Sequence, residues 1–360
     1  MNKVLFTGGG TAGHVIPAIP IMQRLLDEGV EVSFVGSDSG LEAGLLTDLA
    51  VRYHAISAGK LRRYFSLENL LDVFRVAKGF LQAVALIRAD RPDVVFSKGG
   101  FVSLPVVLAA ALCRVPIVAH ESDLTPGLAN RLALPFIRTL CVNFAGSEPI
   151  VANTRFRGEL LLTGTPVREQ LTAGDARRGR ELLGFAGDKP LLLVTGGSLG
   201  ADAINRVVRE ALDELLERCD VVHVCGAGKA SGVEVPGYRQ FEYVDESWGD
   251  ILAAADVVIS RAGANTLYEL LSLRKPNLLI PLSPTVSRGD QVENAAYAQS
   301  LGYSHSVAEA GLDGPVLLAA LNDVFEQLPQ MRERLAQFVA LDSVALLTRA
   351  IRQACETKTA

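Results

Sequence analysis

Tryptophan occurs once and methionine three times in this 360-residue chain, and its five cysteines (Cys113, Cys141, Cys219, Cys225 and Cys355) form no CxxC pair. An odd, scattered set in apolar segments behaves as small hydrophobes and excludes a disulfide scaffold, so reduced, cytoplasmic surroundings are expected. No Asp-x-Asp pair occurs anywhere and no second His/Cys cluster appears, which makes a metal site the weaker reading of any motif below. Positive charge is not in excess. Lys and Arg number 35 against 40 Asp and Glu, a net charge of -5, so no global field exists to hold nucleic acid. The longest apolar stretch, Phe101 to Cys113, is interrupted by Ser103 and Pro105 and stops at Arg114. It falls short of the ~18–20 residues of a spanning helix. The run Val4–Thr7 before the first glycines is too short for a signal peptide. A soluble protein is expected, or one that sits on a membrane surface.

What is present is apolar material, 49% of the residues, enough for about two ordinary cores at ~150 residues per domain. Short β-rich runs alternate with longer helical patterns, which predicts βαβ units and parallel sheets. Strands are expected at Lys3–Thr7, Glu31–Gly36, Asp93–Ser97, Pro116–His120 and Thr139–Asn143, with helices near 15–28, 66–90, 101–113 and 126–136. The pattern restarts with strands at Pro190–Thr195, Val221–Cys225, Asp256–Ser260 and Pro276–Pro281 and helices near 200–218, 264–273 and 290–301. Both halves open on strand, Thr, glycine turn, helix: Thr7-Gly8-Gly9-Gly10 and Thr195-Gly196-Gly197-Ser198. That repeat predicts two Rossmann-like domains, each with a ligand-facing loop at the carboxyl edge of its first strand. A linker is expected around Thr163–Pro166, and a closing helix from Asp342 to Glu356, where Val344, Leu347, Ala350, Ile351 and Ala354 recur at helical spacing.

Gly8, Gly10 and Gly13 satisfy G-x-G-x-x-G, a loop whose backbone N–H groups approach an anion closely. Turn glycines without a ligand are the bland alternative. A dinucleotide site also needs an acid at the end of the next strand, where Gly36 stands and Asp38 comes two residues late. His14 follows the third glycine; at a helix start it suits a general base, and otherwise it is an ordinary surface histidine. Ser97–Ser103 is a third glycine turn, containing Gly99 and Gly100, and either faces the same edge or is a plain turn. His120-Glu121-Ser122-Asp123 puts three ionisable groups at a strand end, more than a helix cap requires. In the second half Ala264, Asn265 and Thr266 offer N–H groups to a phosphate, and Glu269 either accepts from a ribose diol or serves its helix dipole. Asp290 and Gln291 open another helix with groups suited to sugar hydroxyls. From Lys60 to Lys78 the chain is basic, with Arg62, Arg63, Arg75 and Lys78 around Tyr64 and Phe65. Leu67, Leu70, Leu71, Phe74 and Leu81 make a helical stripe there, so this is either a helix packed on its sheet or an interfacial membrane patch.

Taken in order, Gly9–His14, Gly99–Val102, His120–Asp123, Thr163–Arg168, Gly196–Ala201, the 260–269 run and Asp290-Gln291 with Asn294 resemble the MurG family of peptidoglycan N-acetylglucosaminyltransferases over nearly the whole chain. The resemblance implies an α/β GT-B architecture: two Rossmann-like domains, with parallel sheets facing an interdomain cleft. The boundaries would be 1–163 for the acceptor and membrane-facing domain and 164–341 for the nucleotide-sugar domain, with the closing helix in 342–360 packing back on the first. It implies inverting, metal-independent transfer of N-acetylglucosamine from UDP-N-acetylglucosamine to the C4 hydroxyl of undecaprenyl-pyrophosphoryl-MurNAc-pentapeptide. No cofactor and no nucleic acid are implied, and the setting is peripheral, on the anionic cytoplasmic face of the cell membrane. Carried over residue by residue, Val244 meets the uracil and Glu269 the ribose. Arg168, Ser198 and Ala264–Thr266 meet the diphosphate, and Gln291 with Asp290 the sugar. Thr11, Ala12, Gly13 and Asp123 complete the donor site. His14 and Glu121 stand at the reacting centre, and Gly99 and Gly100 at the acceptor pyrophosphate. Family members often carry Gln-Asn where this chain has Ser122-Asp123, and Gly-Gly where it has Ala12-Gly13. A UDP-N-acetylglucosamine 2-epimerase-like enzyme, an NAD dehydrogenase and a non-catalytic binding protein are the competing classes.

Overall fold

The structure, a computed structural model, describes residues 1–38, 40, 42–59, 67–185, 189–197 and 199–356, and in the Leu67–Asp90 helix it describes the side chains of residues 72 and 74–90. The chain divides into two compact units, Met1–Pro166 with Leu341–Ala360, and Val167–Ala340.

In the first unit seven parallel strands, β1 (Lys3–Thr7), β2 (Glu31–Ser37), β3 (Arg52–Ile56), β4 (Val94–Ser97), β5 (Ile117–Glu121), β6 (Thr139–Val142) and β7 (Glu159–Leu162), lie in the order β3-β2-β1-β4-β5-β6-β7. Their near-continuous apolar sequences, VLF in β1 and VVF in β4, fit strands covered on both faces. One face is covered by the Leu67–Asp90 and Ser103–Leu112 helices, whose Ala83, Val84, Ile87, Val106 and Ala110 are buried. The other is covered by Ile19–Asp27 and by Ser343–Glu356 from the chain's far end. Leu347 and Ile351 of that last helix are fully buried, each contributing roughly 1.5–3 kcal/mol. The strand order reverses between β1 and β4, where Thr7 stands level with Ser97. Ligands of such sheets bind outside the carboxyl ends at this reversal.

The second unit repeats the plan. Six parallel strands, β8 (Leu191–Thr195), β9 (Asp220–Val224), β10 (Tyr238–Phe241), β11 (Val257–Ser260), β12 (Asn277–Leu279) and β13 (His305–Ser306), lie in the order β10-β9-β8-β11-β12-β13. Thr195 of β8 is level with Ser260 of β11, so the loops following these strands are neighbours.

Three expectations need correction. The helix expected over 15–28 begins late: Ala12–His14 and Ile16–Ala18 are 3-10 turns and the α-helix runs Ile19–Asp27. Pro17 and Pro20 explain it, because proline lacks an N–H and its ring strikes the carbonyl four residues back, so α-helix cannot extend upstream. The helix expected over 200–218 is two helices, Asp202–Glu210 and Leu212–Arg218, broken at the buried Ala211. At Phe74 and Leu81 the 67–81 stripe does not face the core. Phe74 and Leu81 are each 66% exposed, while Phe80, Ala83, Val84 and Ile87 pack inward. Leu67, Leu70 and Leu71 lie outside the described side chains.

Candidate functional site

In the first unit the loops after β1, β4 and β5 meet at one edge of the sheet. Lys98 N–H donates to Thr7 O at 2.8 Å, continuing the β1–β4 pairing into the loops. The glycine turns then touch backbone to backbone: a Cβ on Gly100 would lie 2.2 Å from Gly9 O, and Gly100 has φ +86°. Only glycine fits there. Glu42, buried beyond β2, accepts from Gly10 N–H at 2.8 Å and from Ser37 Oγ at 3.2 Å. The sequence did not mark Glu42, since its partner is 32 residues away. This acid serves the glycine loop itself and is not spread along the end of β2, as a dinucleotide ribose would need.

His14 ends the Ala12–His14 turn, and its Nδ1 lies 2.8 Å from Thr11 Oγ1. The expected position at an α-helix N-terminus is therefore replaced by a single 3-10 turn, and a helix dipole cannot be invoked for its ring. Thr11 and Gly13 are exposed and Ala12 is half-buried.

Glu121 closes β5 and is buried. Its Oε1 accepts from Asp123 N–H at 3.1 Å, and its Oε2 from Gly127 N–H at 3.0 Å and Asn130 Nδ2 at 2.8 Å. Three donors from 123–130 make this carboxylate the anchor of the loop that carries Ser122 and Asp123. His120, fully buried, donates from Nε2 to Asn143 Oδ1 at 2.8 Å, and burial, aided by the Lys98 charge, holds its pKa well below the usual imidazole range. His120 is a neutral core residue, which resolves why a histidine stands beside Glu121.

In the second unit, Gly200 (φ +67°) would carry a Cβ only 1.9 Å from Cys225 O, so the loop after β8 packs flush on the loop after β9. Ser198 lies outside the described residues. After β11, Gly263 caps the Ala264–Ser272 helix with an extended backbone, leaving the N–H groups of Ala264, Asn265 and Thr266 in its first turn without helical acceptors. Glu269 stands on that helix, and Arg168 Nε donates to its Oε1 at 3.3 Å. Burial raises the Glu269 pKa, opposed by the Arg168 charge. Gln291 Oε1 accepts from Leu282 N–H at 2.9 Å, which fixes the amide. Asp290 begins the same helix and pairs with Arg288 at 3.4 Å. Asn294 Nδ2 donates to Ala262 O at 3.2 Å, tying this helix to the turn after β11. Arg261 donates to Ile280 O at 3.0 Å and pairs with Glu309, which also accepts from Ser283 N–H at 3.1 Å. Arg261 and Glu309 brace the loop between β12 and Gln291, a role no local pattern marks. Val244 follows β10, half-buried against the core of this unit.

Of the basic stretch, Arg62, Arg63, Tyr64 and Phe65 lie outside the described residues. Arg75 and Lys78 are exposed, and Arg75 pairs with the buried Asp72 at 3.0 Å. No helix among the described residues is long and apolar enough to cross a membrane.

The glycosyltransferase family 28 N-terminal domain matches residues 4–141 and the family's C-terminal domain matches residues 191–346. A UDP-N-acetylglucosamine–N-acetylmuramyl-(pentapeptide) pyrophosphoryl-undecaprenol N-acetylglucosamine transferase of Legionella pneumophila is 49% identical over 335 residues, 92% of each chain. The transferase of the same description from Clostridium perfringens is 48% identical over 324 residues, 89% of this chain and 90% of the relative. The crystal structure of Acinetobacter baumannii MurG superposes with a TM-score of 0.79 at 24% identity, covering 98% of this chain and 100% of that one, so the fold is shared. The chain is a glycosyltransferase of family 28 and belongs, within it, to the UDP-N-acetylglucosamine–N-acetylmuramyl-(pentapeptide) pyrophosphoryl-undecaprenol N-acetylglucosamine transferases.

Proposed function

We propose that this protein transfers N-acetylglucosamine from UDP-N-acetylglucosamine to the C4 hydroxyl of undecaprenyl-pyrophosphoryl-MurNAc-pentapeptide, with inversion, in peptidoglycan synthesis. The observation that carries the reading is 49% identity over 92% of the chain to transferases of that description. A 2-epimerase is not favoured, because the full-length similarity is to the transferases.

The residues follow from the charges the reaction creates. The bond from the anomeric carbon to the diphosphate oxygen breaks, UDP leaves with the electron pair, and the acceptor C4 oxygen forms the new bond as its proton departs. The first-turn N–H groups of Ala264–Thr266, the Arg168 guanidinium and Ser198 would take the diphosphate charge. Glu269 would accept from the ribose diol, Val244 would contact the uracil, and Gln291 and Asp290 would contact the sugar. From the first unit, Thr11, Ala12, Gly13 and Asp123 would complete donor binding, and Gly99 and Gly100 would approach the acceptor pyrophosphate. His14 is the proposed base: its Nδ1 lies 2.8 Å from Thr11 Oγ1, and in the tautomer in which Nδ1–H donates to that hydroxyl, Nε2 is the nitrogen that would take the C4 hydroxyl proton. Glu121 acts by holding the 121–130 loop in shape. The direct test is purified protein with labelled UDP-N-acetylglucosamine and the lipid-linked acceptor, with and without EDTA. Labelled disaccharide lipid should form at the same rate in both. Free sugar as product, or abolition by EDTA, would overturn the reading.

We propose further that the exposed face of the Leu67–Asp90 helix docks on anionic lipid at the cytoplasmic face of the membrane. Phe74, Lys78 and Leu81 share that face at i, i+4, i+7 spacing, with Arg75 alongside. Arg62, Arg63, Tyr64 and Phe65, just upstream in the sequence, offer the same basic and aromatic chemistry. Replacing Phe74 by serine together with Arg75→Glu and Lys78→Glu should cut co-sedimentation with phosphatidylglycerol vesicles by about tenfold or more. Turnover of an acceptor with a short, soluble lipid chain should hold. Unchanged vesicle binding would remove the docking face.

A further inference from the structure

Lys98 directly follows β4, yet it is only 3% exposed. A lysine so deep is rarely found without a partner that justifies its charge. Its partner is not a carboxylate. The Lys98 ammonium donates to Ser122 Oγ at 2.5 Å, across the two neighbouring loops after β4 and β5. The groups facing it are His120 and Glu121 of β5, Asp123, and Cys141 of β6. His120 is neutral, and burial pushes the Cys141 thiol up to about 12, so only Glu121 and Asp123 bring charge. Both Glu121 oxygens are committed to the 123–130 loop.

Hydroxyl chemistry then sets a direction. Ser122 Oγ has one proton, and having accepted from an ammonium it must donate that proton elsewhere. Among the described residues no acceptor takes it, and Ser122 is half-buried. An ammonium behind a hydroxyl polarises the O–H and strengthens the bond it donates, most of all to an anion. The stem of Lys98 also packs into the two glycine turns: a Cβ on Gly8 would lie 3.0 Å from both Lys98 Cβ and His14 O. The polarised hydroxyl thus belongs to the same loop cluster as Gly99, Gly100 and the proposed base.

We propose that Lys98 is a positioning residue which turns Ser122 into an oxyanion donor, and that Ser122 binds a non-bridging oxygen of the acceptor's lipid-linked diphosphate. This rests on the transfer reaction proposed above. Burial lowers the Lys98 pKa to about 8, opposed by Glu121 and Asp123. The ammonium is present below that pH and is lost as pH rises through it, so the acceptor KM should climb above about pH 8.

The test is steady-state kinetics of the full chain with lipid-linked acceptor in detergent micelles. Lys98→Met keeps the stem and removes the charge, and Ser122→Ala removes the relayed hydroxyl. Each should raise the acceptor KM by roughly ten- to a hundredfold, the range for a charge-assisted hydrogen bond, with the donor KM within about twofold. Inhibition by inorganic pyrophosphate, competitive with the acceptor, should weaken by the same factor. The double variant should be no worse than either single one, because both remove one device, and the alkaline rise in KM should be absent from Lys98→Met. Wild-type acceptor affinity in either variant would overturn the relay, as would additive losses. A rise in donor KM instead would reassign Ser122 to the UDP diphosphate and sink the proposal. If the wild-type protein transfers nothing to the lipid acceptor, the reaction itself falls; if it transfers and Lys98→Met keeps its KM, only the relay does.

Discussion

Replacing His14 by alanine should lower turnover by about 10²–10⁴-fold, the range of a lost general base, while donor affinity stays within about twofold. The residue's place supports this expectation: His14 ends a short turn hinged on Thr11, and its Nδ1 is oriented by the Thr11 hydroxyl. In the tautomer with the proton on Nδ1, Nε2 is the basic nitrogen. Thr11→Val should reproduce part of the loss, because the ring then keeps its base but not its tautomer or aim. Rapid-quench turnover alongside calorimetric titration of UDP-N-acetylglucosamine separates the two quantities. Equal losses in turnover and donor affinity would instead make His14 a binding residue, and no loss in either would leave the reaction without this base.

Glu269→Ala should raise the donor KM by on the order of 10²-fold, the sum of two hydrogen bonds to an ionised carboxylate. UDP titration reads the same loss without the acceptor. Arg168 Nε donates to Glu269 Oε1, so a ribose must share or replace that contact. The pH dependence follows from the same pair. Burial raises the Glu269 pKa and the Arg168 charge opposes it, so the carboxylate is ionised above that raised value and neutral below. Donor affinity should therefore fall on acidification at a higher pH than an ordinary carboxylate would allow. Arg168→Ala removes the opposing charge and should move that fall to still higher pH, whereas Glu269→Gln should show no such fall. A pH-independent wild-type affinity between pH 4 and 7 would separate Glu269 from the ribose.

Local pattern carried much of the architecture. β1, β4, β5, β8 and β11 are short apolar runs ending in Thr, Ser or Glu before a turn, and their alternation with helices left parallel sheets as the economical solution. β3, β7, β10 and β13 were not legible. Arg52–Ile56 and Tyr238–Phe241 mix polar with apolar residues because they lie at sheet edges, where one side lacks a neighbouring strand. The two prolines that delay the first helix were in plain view, but the apolar periodicity through 15–28 masked their effect. The exposed Phe74 and Leu81 show the reverse failure: a correct helical period does not say which of two apolar stripes meets the core.

The sequence by itself determined that two similar α/β halves exist, and that glycine turns stand at the carboxyl ends of their first strands, where Thr7 and Thr195 end a β-strand and a ligand loop begins. Those properties depend on spacing along the chain, and spacing is what a sequence displays. Only the tertiary structure decided that Glu42 clamps Gly10, that Glu121 anchors a loop, that His120 is buried against Asn143 and that Lys98 backs Ser122. Each of these joins side chains brought together by strand order or by the return of a loop. A side chain's charge state and hydrogen-bond partner are set by its neighbours in space, which the order of residues does not name.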